Sequence, residues 1–200
     1  MKRARITLFD LGNVLVDIHP VAFTRRLGID DNRANDVYRE GIVSLVWRYE
    51  SGTMTTEEYL NGLDALFDSR YSFDELRQAM LAVIGEPVEG MEAIVREVNK
   101  RMPIALVSNT NELHFNHSLE RVPAVRLMSN YFLSYQLRAM KPDPLYYLHV
   151  LNGVAADPAE VVFIDDLKEN VDGASQAGMQ GVHFTSVESL SGNLRRCGVL

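Results

Sequence analysis

Three short apolar runs punctuate the chain, at 6–9, 103–107 and 161–164. Each stops at a polar residue: Asp10, Ser108, and the pair Asp165 and Asp166. Continuous apolar runs of this length suit strands buried on both faces of a parallel sheet. Around the later runs the apolar positions recur at helical spacing, at 88–101, 144–152 and 170–177. Gly178 is placed to close the last of these helices, and 181–184 reads as a further strand. Alternating strand and helix signals predict an α/β fold built on a doubly wound parallel sheet.

Residues 19–85 break that alternation. They hold no buried-strand run, but three helix-period segments at 32–49, 55–67 and 73–84. Thr55 with Glu58, and Ser72 with Glu75, have the spacing of capping boxes at helix starts. The pattern predicts a helical domain, 19–85, inserted after the first strand into a core made of 1–18 and 86–200. No internal repeat or low-complexity stretch competes with this division.

Composition narrows the function classes. Hydrophobic residues make up 46% and charged residues 24% of the 200, enough for a real core. The formal net charge of -7, with no basic run, argues against nucleic acid as a partner. It leaves room for a small phosphorylated molecule, because a metal can supply local positive charge. A single cysteine, Cys197, cannot close an internal disulfide, so a reducing cytoplasm is the expected compartment. Lys2, Arg3 and Arg5 precede an apolar stretch, as in a signal peptide, but Asp10 interrupts it. No run approaches the roughly 18 apolar residues of a membrane span, so no membrane partner is expected. Monomer and homodimer are both compatible with the chain.

In an open parallel sheet, ligands bind beyond the carboxyl ends of the strands, where strand order reverses. Asp10, Ser108, Asp165 and Asp166 all follow apolar runs, and they meet if those strands are neighbours. Three carboxylates in one cleft repel each other unless a cation joins them. Mg²⁺ suits such a site, since it accepts carboxylate oxygens, a backbone carbonyl and waters.

The stretches that carry these residues resemble the motifs of the haloacid dehalogenase (HAD) superfamily. Phe9-Asp10-Leu11-Gly12-Asn13-Val14-Leu15-Val16-Asp17 is similar to the first motif and Val107-Ser108-Asn109-Thr110-Asn111 to the second. Lys141-Pro142 is similar to the third, and Phe163-Ile164-Asp165-Asp166, with Asn170 and Gly173-Ala174, to the fourth. The helical insertion stands where that superfamily carries a C1-type cap. The motif variants most resemble the subgroup of α-glucose-1-phosphate phosphatase and the N-terminal phosphatase domain of epoxide hydrolases. Epoxide hydrolysis itself is not expected of 200 residues.

The resemblance implies a Mg²⁺-dependent phosphatase acting on a small phosphomonoester, a sugar phosphate being the expected class. Asp10 would attack phosphorus and form an aspartyl phosphate. Asp166 would bind Mg²⁺ with Asp10 and the carbonyl of Gly12, and Asp165 through a water. Ser108 and the Asn109 amide would hold the phosphate, while Lys141 balances its charge. In the insertion, Arg48 is the candidate substrate contact and Trp47 is expected in the core. Asn111 and His114, at a helix start, read equally well as phosphate contacts or as structural residues.

One residue departs from most of the superfamily. Position 12, two after the nucleophile, usually carries a general acid/base Asp; here it is Gly. Asp17, His19, a substrate hydroxyl or a metal-associated water are the candidate replacements. The gap keeps two rivals open, a 2-haloacid dehalogenase and a non-enzymatic binding module. The Asp165/Asp166 pair argues against the first, whose chemistry needs no metal.

Overall fold

The computed structural model describes residues 2–29 and 36–200, with side chains described again from Arg39 onward. Five strands form a parallel sheet in the order β5-β4-β1-β6-β7. They are β1 (Ile6–Phe9), β4 (Ile104–Ser108), β5 (Asn130–Leu133), β6 (Val161–Asp165) and β7 (Gln180–His183). The three apolar runs of the sequence are the three central strands, buried along their whole length. Leu8 of β1 sits between Ala105 of β4 and Phe163 of β6. The chain leaves β1 in both directions across the sheet, so the reversal of strand order falls at the carboxyl end of β1.

A second, antiparallel pair, β2 (Val16–Ile18) and β3 (Ile84–Pro87), brackets four helices: α1 (Val21–Arg26), α2 (Asp36–Glu50), α3 (Thr56–Leu66) and α4 (Phe73–Leu81). Both capping boxes form. The Glu58 amide donates to Thr55 Oγ1 at 3.2 Å and the Thr55 amide donates to Glu58 Oε2 at 2.7 Å. Ser72 and Glu75 repeat the exchange. The helices bury a core of their own, in which Tyr49 stacks on Tyr59 with ring centroids 4.7 Å apart.

The main sheet is covered on both faces. One face carries α5 (Met91–Asn99), α6 (Glu112–Arg121) and α10 (Val187–Arg196); the other carries α8 (Pro144–Val154) and α9 (Lys168–Gln176). The four-residue helix α7 (Ser134–Leu137) follows β5 directly. The alternation along β1 shows why two faces are needed. Ile6 and Leu8 enter one core and Phe9 the other.

Several elements go beyond the sequence reading. The helix expected at 73–84 stops at Leu81, because the chain extends into β3 and the Val83 carbonyl accepts the His19 amide at 2.8 Å. Strands β2 and β3 have three and four residues, too short to show a period. Strand β5 is half exposed at the sheet edge, so it carries no continuous apolar run. Residues 32–35 of the expected helix 32–49 lie outside the described residues.

Candidate active site

Three central strands deliver their polar ends to one point. Asp10 follows β1, Ser108 closes β4 and Asp165 closes β6. The Asp10 amide continues the ladder by donating to the Ile164 carbonyl at 3.0 Å. Lys141 reaches in from the segment before α8. Its Nζ donates to Asp10 Oδ1 at 2.8 Å, to Asp165 Oδ2 at 2.6 Å and to the Val107 carbonyl at 3.1 Å. Among the described residues, Asp10, Asp165 and Asp166 form a group whose carboxylate oxygens lie within 4.8 Å of one another.

The surrounding backbone is fastened to this point. The Asn109 side chain brackets Lys141, accepting its amide at 2.8 Å and donating to its carbonyl at 2.9 Å. That commits the Asn109 side chain to positioning Lys141. Ser108 keeps only a 3.4 Å contact to the Asn109 carbonyl, too long to hold its hydroxyl. Asn13 adopts a left-handed φ of 53°, which Asn tolerates, and donates from Nδ2 to Asp166 Oδ2 at 3.0 Å. His183 contacts the Asp166 carbonyl at 2.8 Å. Asn13 and His183 were not singled out from the sequence. Asn13 had a signal in its place within a tight turn of the first motif; His183 had none, since only the β6–β7 pairing brings it there.

Burial governs the electrostatics. Desolvation pushes Asp10 up to about 7; Lys141 opposes this and Asp165 adds to it. Burial also works against the Lys141 charge, but Asp10 and Asp165 outweigh it and hold the ammonium's pKa above its ordinary value. One buried cation thus faces three carboxylates, a set that a hard divalent cation would complete. A second observation fits such an ion. The Asn170 amide donates to Asp165 Oδ1 at 2.9 Å, while its own carbonyl oxygen is buried without a hydrogen-bond partner. Asp165 accepts three hydrogen bonds, from Lys141 on Oδ2 and from the Leu167 amide and Asn170 on Oδ1. Asp10 and Asp166 carry fewer protein contacts.

Above this floor lies a cavity of about 920 Å³ between the sheet's carboxyl edge and helices of the insertion. Asp10, Gly12, Ser108, Asn109, Lys141 and Asp166 all line it. Asp165 lies beneath them, fully buried. Arg48 does not line the cavity; it is exposed on α2. Trp47 corrects an expectation: it is 60% exposed and lines the cavity rather than packing in the core. Its position on α2 turns it away from the Tyr49–Tyr59 stack. Asp17 and His19 are exposed and outside the cavity wall.

Asn111 and His114 serve structure. The Asn111 carbonyl oxygen caps α6 by accepting the His114 amide at 3.0 Å, and its Nδ2 lies 3.1 Å from His114 Nδ1. With Nδ1 accepting that bond, Nε2 carries the proton and donates to the Met80 carbonyl at 2.9 Å. His114 therefore ties the core to the insertion. Burial pushes its imidazole down to about 4, so it is neutral at ordinary pH. Glu50, part-buried and lining the cavity beside Asn111, is pushed up to about 7 by desolvation. No local pattern around Glu50 signals that burial in advance.

Known proteins share this architecture. The sequence profile of haloacid dehalogenase-like hydrolases matches residues 4–178. The chain belongs to this hydrolase family. A D-ribitol-5-phosphate phosphatase of Bacteroides thetaiotaomicron is 26% identical over 184 residues, covering 86% of this chain and 88% of that protein. A sesquiterpene phosphatase of Aspergillus oryzae is 26% identical over 185 residues, covering 90% of each. A Bacteroides thetaiotaomicron HAD family enzyme, solved as an aspartate-to-alanine mutant with magnesium and inorganic phosphate, shares the fold with a TM-score of 0.80. It is 20% identical, covering 92% of this chain and 95% of that one.

Proposed function

We propose that this HAD-like hydrolase is a Mg²⁺-dependent phosphomonoesterase that works through an aspartyl phosphate on Asp10. The observation that carries the reading is the junction of Asp10, Asp165 and Asp166 with Lys141 at the floor of a ligand-sized cavity. In this reading 1–18 and 86–200 are the core and 19–85 a C1-type cap. The subgroup of α-glucose-1-phosphate phosphatase is a functional parallel.

Lys141 holds the Asp10 carboxylate in place through Oδ1 and keeps it charged at the moment of attack on phosphorus. The ester P–O bond breaks as the Asp10 oxygen bonds to phosphorus, the alkoxide departs and takes up a proton from water, and a second water hydrolyses the acyl phosphate to free Asp10 and inorganic phosphate. Ser108 Oγ and the Asn109 amide donate to phosphate oxygens from the end of β4. Asp10, Asp166 and the Gly12 carbonyl are the proposed magnesium ligands. Asp165 acts indirectly, by fixing Lys141 and the start of α9. Bound magnesium supplies positive charge to the transferring phosphoryl group.

Sugar phosphates are the first substrate class to test, since the relatives include an enzyme named for a sugar-alcohol phosphate. Another is named for a sesquiterpene, so relatives alone do not choose. A cytoplasmic location remains the expectation from the single cysteine. The test is phosphate release from a panel of phosphomonoesters with and without Mg²⁺, beside chloride release from 2-haloacids. Mg²⁺-dependent phosphate release that Asp10→Asn abolishes is expected. Metal-independent chloride release, or full activity in Asp10→Asn, would overturn the reading.

A further inference from the structure

Large exposed apolar side chains are not spread evenly over this molecule. Among the described residues seven are exposed, and four of them, Val21, Val43, Trp47 and Leu167, line the cavity that opens onto Asp10. Scattered single exposed apolar residues need no explanation, whereas a contiguous set at a cleft marks what the cleft receives. Deeper in, Phe23 and Phe67 continue the same wall. These residues come from α1, α2, the end of α3 and the segment before α9, so the apolar character belongs to the enclosure and not to one helix face.

The polar groups of that enclosure are largely committed. Both His114 ring nitrogens are bonded within the protein. The Thr24 hydroxyl donates to the Val21 carbonyl at 3.1 Å. Glu50 sits beside Asn111 and is held toward its neutral form by desolvation. Among the described residues, Arg39, with contacts of its own, is the one cationic side chain lining the cavity apart from Lys141. Against the described residues, a polyol brought here would lose water from several hydroxyls and regain few partners, which is unfavourable for each one.

We infer that the cavity takes phosphomonoesters of lipophilic alcohols, with phosphate on the acidic floor and the hydrocarbon chain along Val21, Val43, Trp47 and Leu167. The inference deepens the phosphatase reading and rests on it for the position of the phosphate. At about 30 Å³ per water-sized group, 920 Å³ leaves room beyond the phosphate for a chain on the order of ten to twenty carbons.

The experiment uses the full chain with Mg²⁺ and compares butyl, octyl and dodecyl phosphate with glucose and ribitol phosphates. All are kept below micelle-forming concentration. Each added methylene is expected to raise kcat/KM about fourfold until the cavity fills, mostly through KM. The sugar phosphates are expected to lie at or below butyl phosphate. Val43→Asn, an exposed position, is expected to flatten the chain-length dependence and lower dodecyl phosphate kcat/KM at least about tenfold.

A binding measurement separates this inference from the phosphatase reading. Trp47 is the only tryptophan, so its fluorescence reports on the cavity wall. Titrating Asp10→Asn with the same alkyl phosphates should give affinities that climb with chain length. If they climb and no phosphomonoester turns over, the apolar site stands and the phosphatase reading falls. If sugar phosphates turn over best and the alkyl series is flat, the phosphatase reading stands and this inference is overturned. A dimer closed over the same four residues, with no chain-length effect, overturns it as well.

Discussion

At the scale of the residue, Lys141 is the point on which the site balances. It holds apart two buried carboxylates, each within 2.8 Å of its Nζ. Lys141→Met leaves both without a compensating charge and is expected to cost about 3–5 kcal/mol in urea unfolding. Removing one of the two charges as well, by Asp10→Asn, should return part of that loss. Strict additivity of the two changes would show that the pair is not coupled in the folded protein. Gly12 is the complementary case. A Cβ there would lie 3.1 Å from Ile18 Cγ1, a tight but side-chain contact, so an aspartate can be accommodated by a small shift. If the missing acid/base is unreplaced, Gly12→Asp raises kcat by some part of the roughly 10²–10⁴-fold that such catalysis contributes. An unchanged or lower kcat would place the proton transfer elsewhere, with Glu50 the first group to test.

At the scale of the element, two residues near the start of α3 separate folding from docking. Thr55 caps α3 through a hydrogen-bond exchange within the insertion. Gly52 instead meets the core: it has a φ of +69°, and a Cβ there would lie 2.1 Å from the Tyr135 carbonyl oxygen. Thr55→Ala should cost about 1 kcal/mol of stability and leave kcat/KM as it was. Gly52→Ala should cost more than about 1 kcal/mol and also lower kcat/KM, because the loop must back away from α7 and carry the cavity wall with it. Equal effects of the two variants on kcat/KM would show that the Gly52 contact does not position the insertion.

At the scale of the whole molecule, core and insertion are joined by buried polar contacts that respond to pH. His114 has its pKa depressed from 6.5 to about 4. As pH falls, the unfolded chain takes up that proton first. Stability from this group is therefore fully present above about pH 6.5 and is lost toward pH 4, by up to about 3 kcal/mol. Glu50 acts in the opposite sense: with its pKa raised to about 7, the folded chain protonates first and gains stability as pH falls from 7. Urea unfolding at pH 7.5 and 4.5 should show His114→Gln losing less stability on acidification than the parent, and Glu50→Gln losing more. The same response in both variants would remove these two groups from the account. If Mg²⁺ occupies the carboxylate cluster of the folded chain, as proposed, and does not bind the unfolded chain, it should raise Tm with concentration. Asp166→Asn should blunt that rise.

The three central strands and the meeting of Asp10, Ser108 and Asp165 at their carboxyl ends were legible in the chain itself. Apolar runs ending at Asp10, Ser108 and Asp165 reveal buried parallel strands with polar carboxyl ends, because a strand covered on both faces admits little else. The capping boxes at Thr55 and Ser72 were equally plain, since their hydrogen bonds close within four residues. What the sequence could not supply depends on contacts between distant segments. The short strands β2, β3 and β5 exist only through their partners. The placement of Trp47 in the cavity and Arg48 outside it follows from how α2 rolls against α3 and the core, a packing choice that neighbouring positions on one helix do not encode. The perturbed states of Asp10, Glu50 and His114 arise from burial, which tertiary packing alone creates. Sequence thus determined which groups could do chemistry; the folded structure decided which of them share a cavity, and that its walls are apolar.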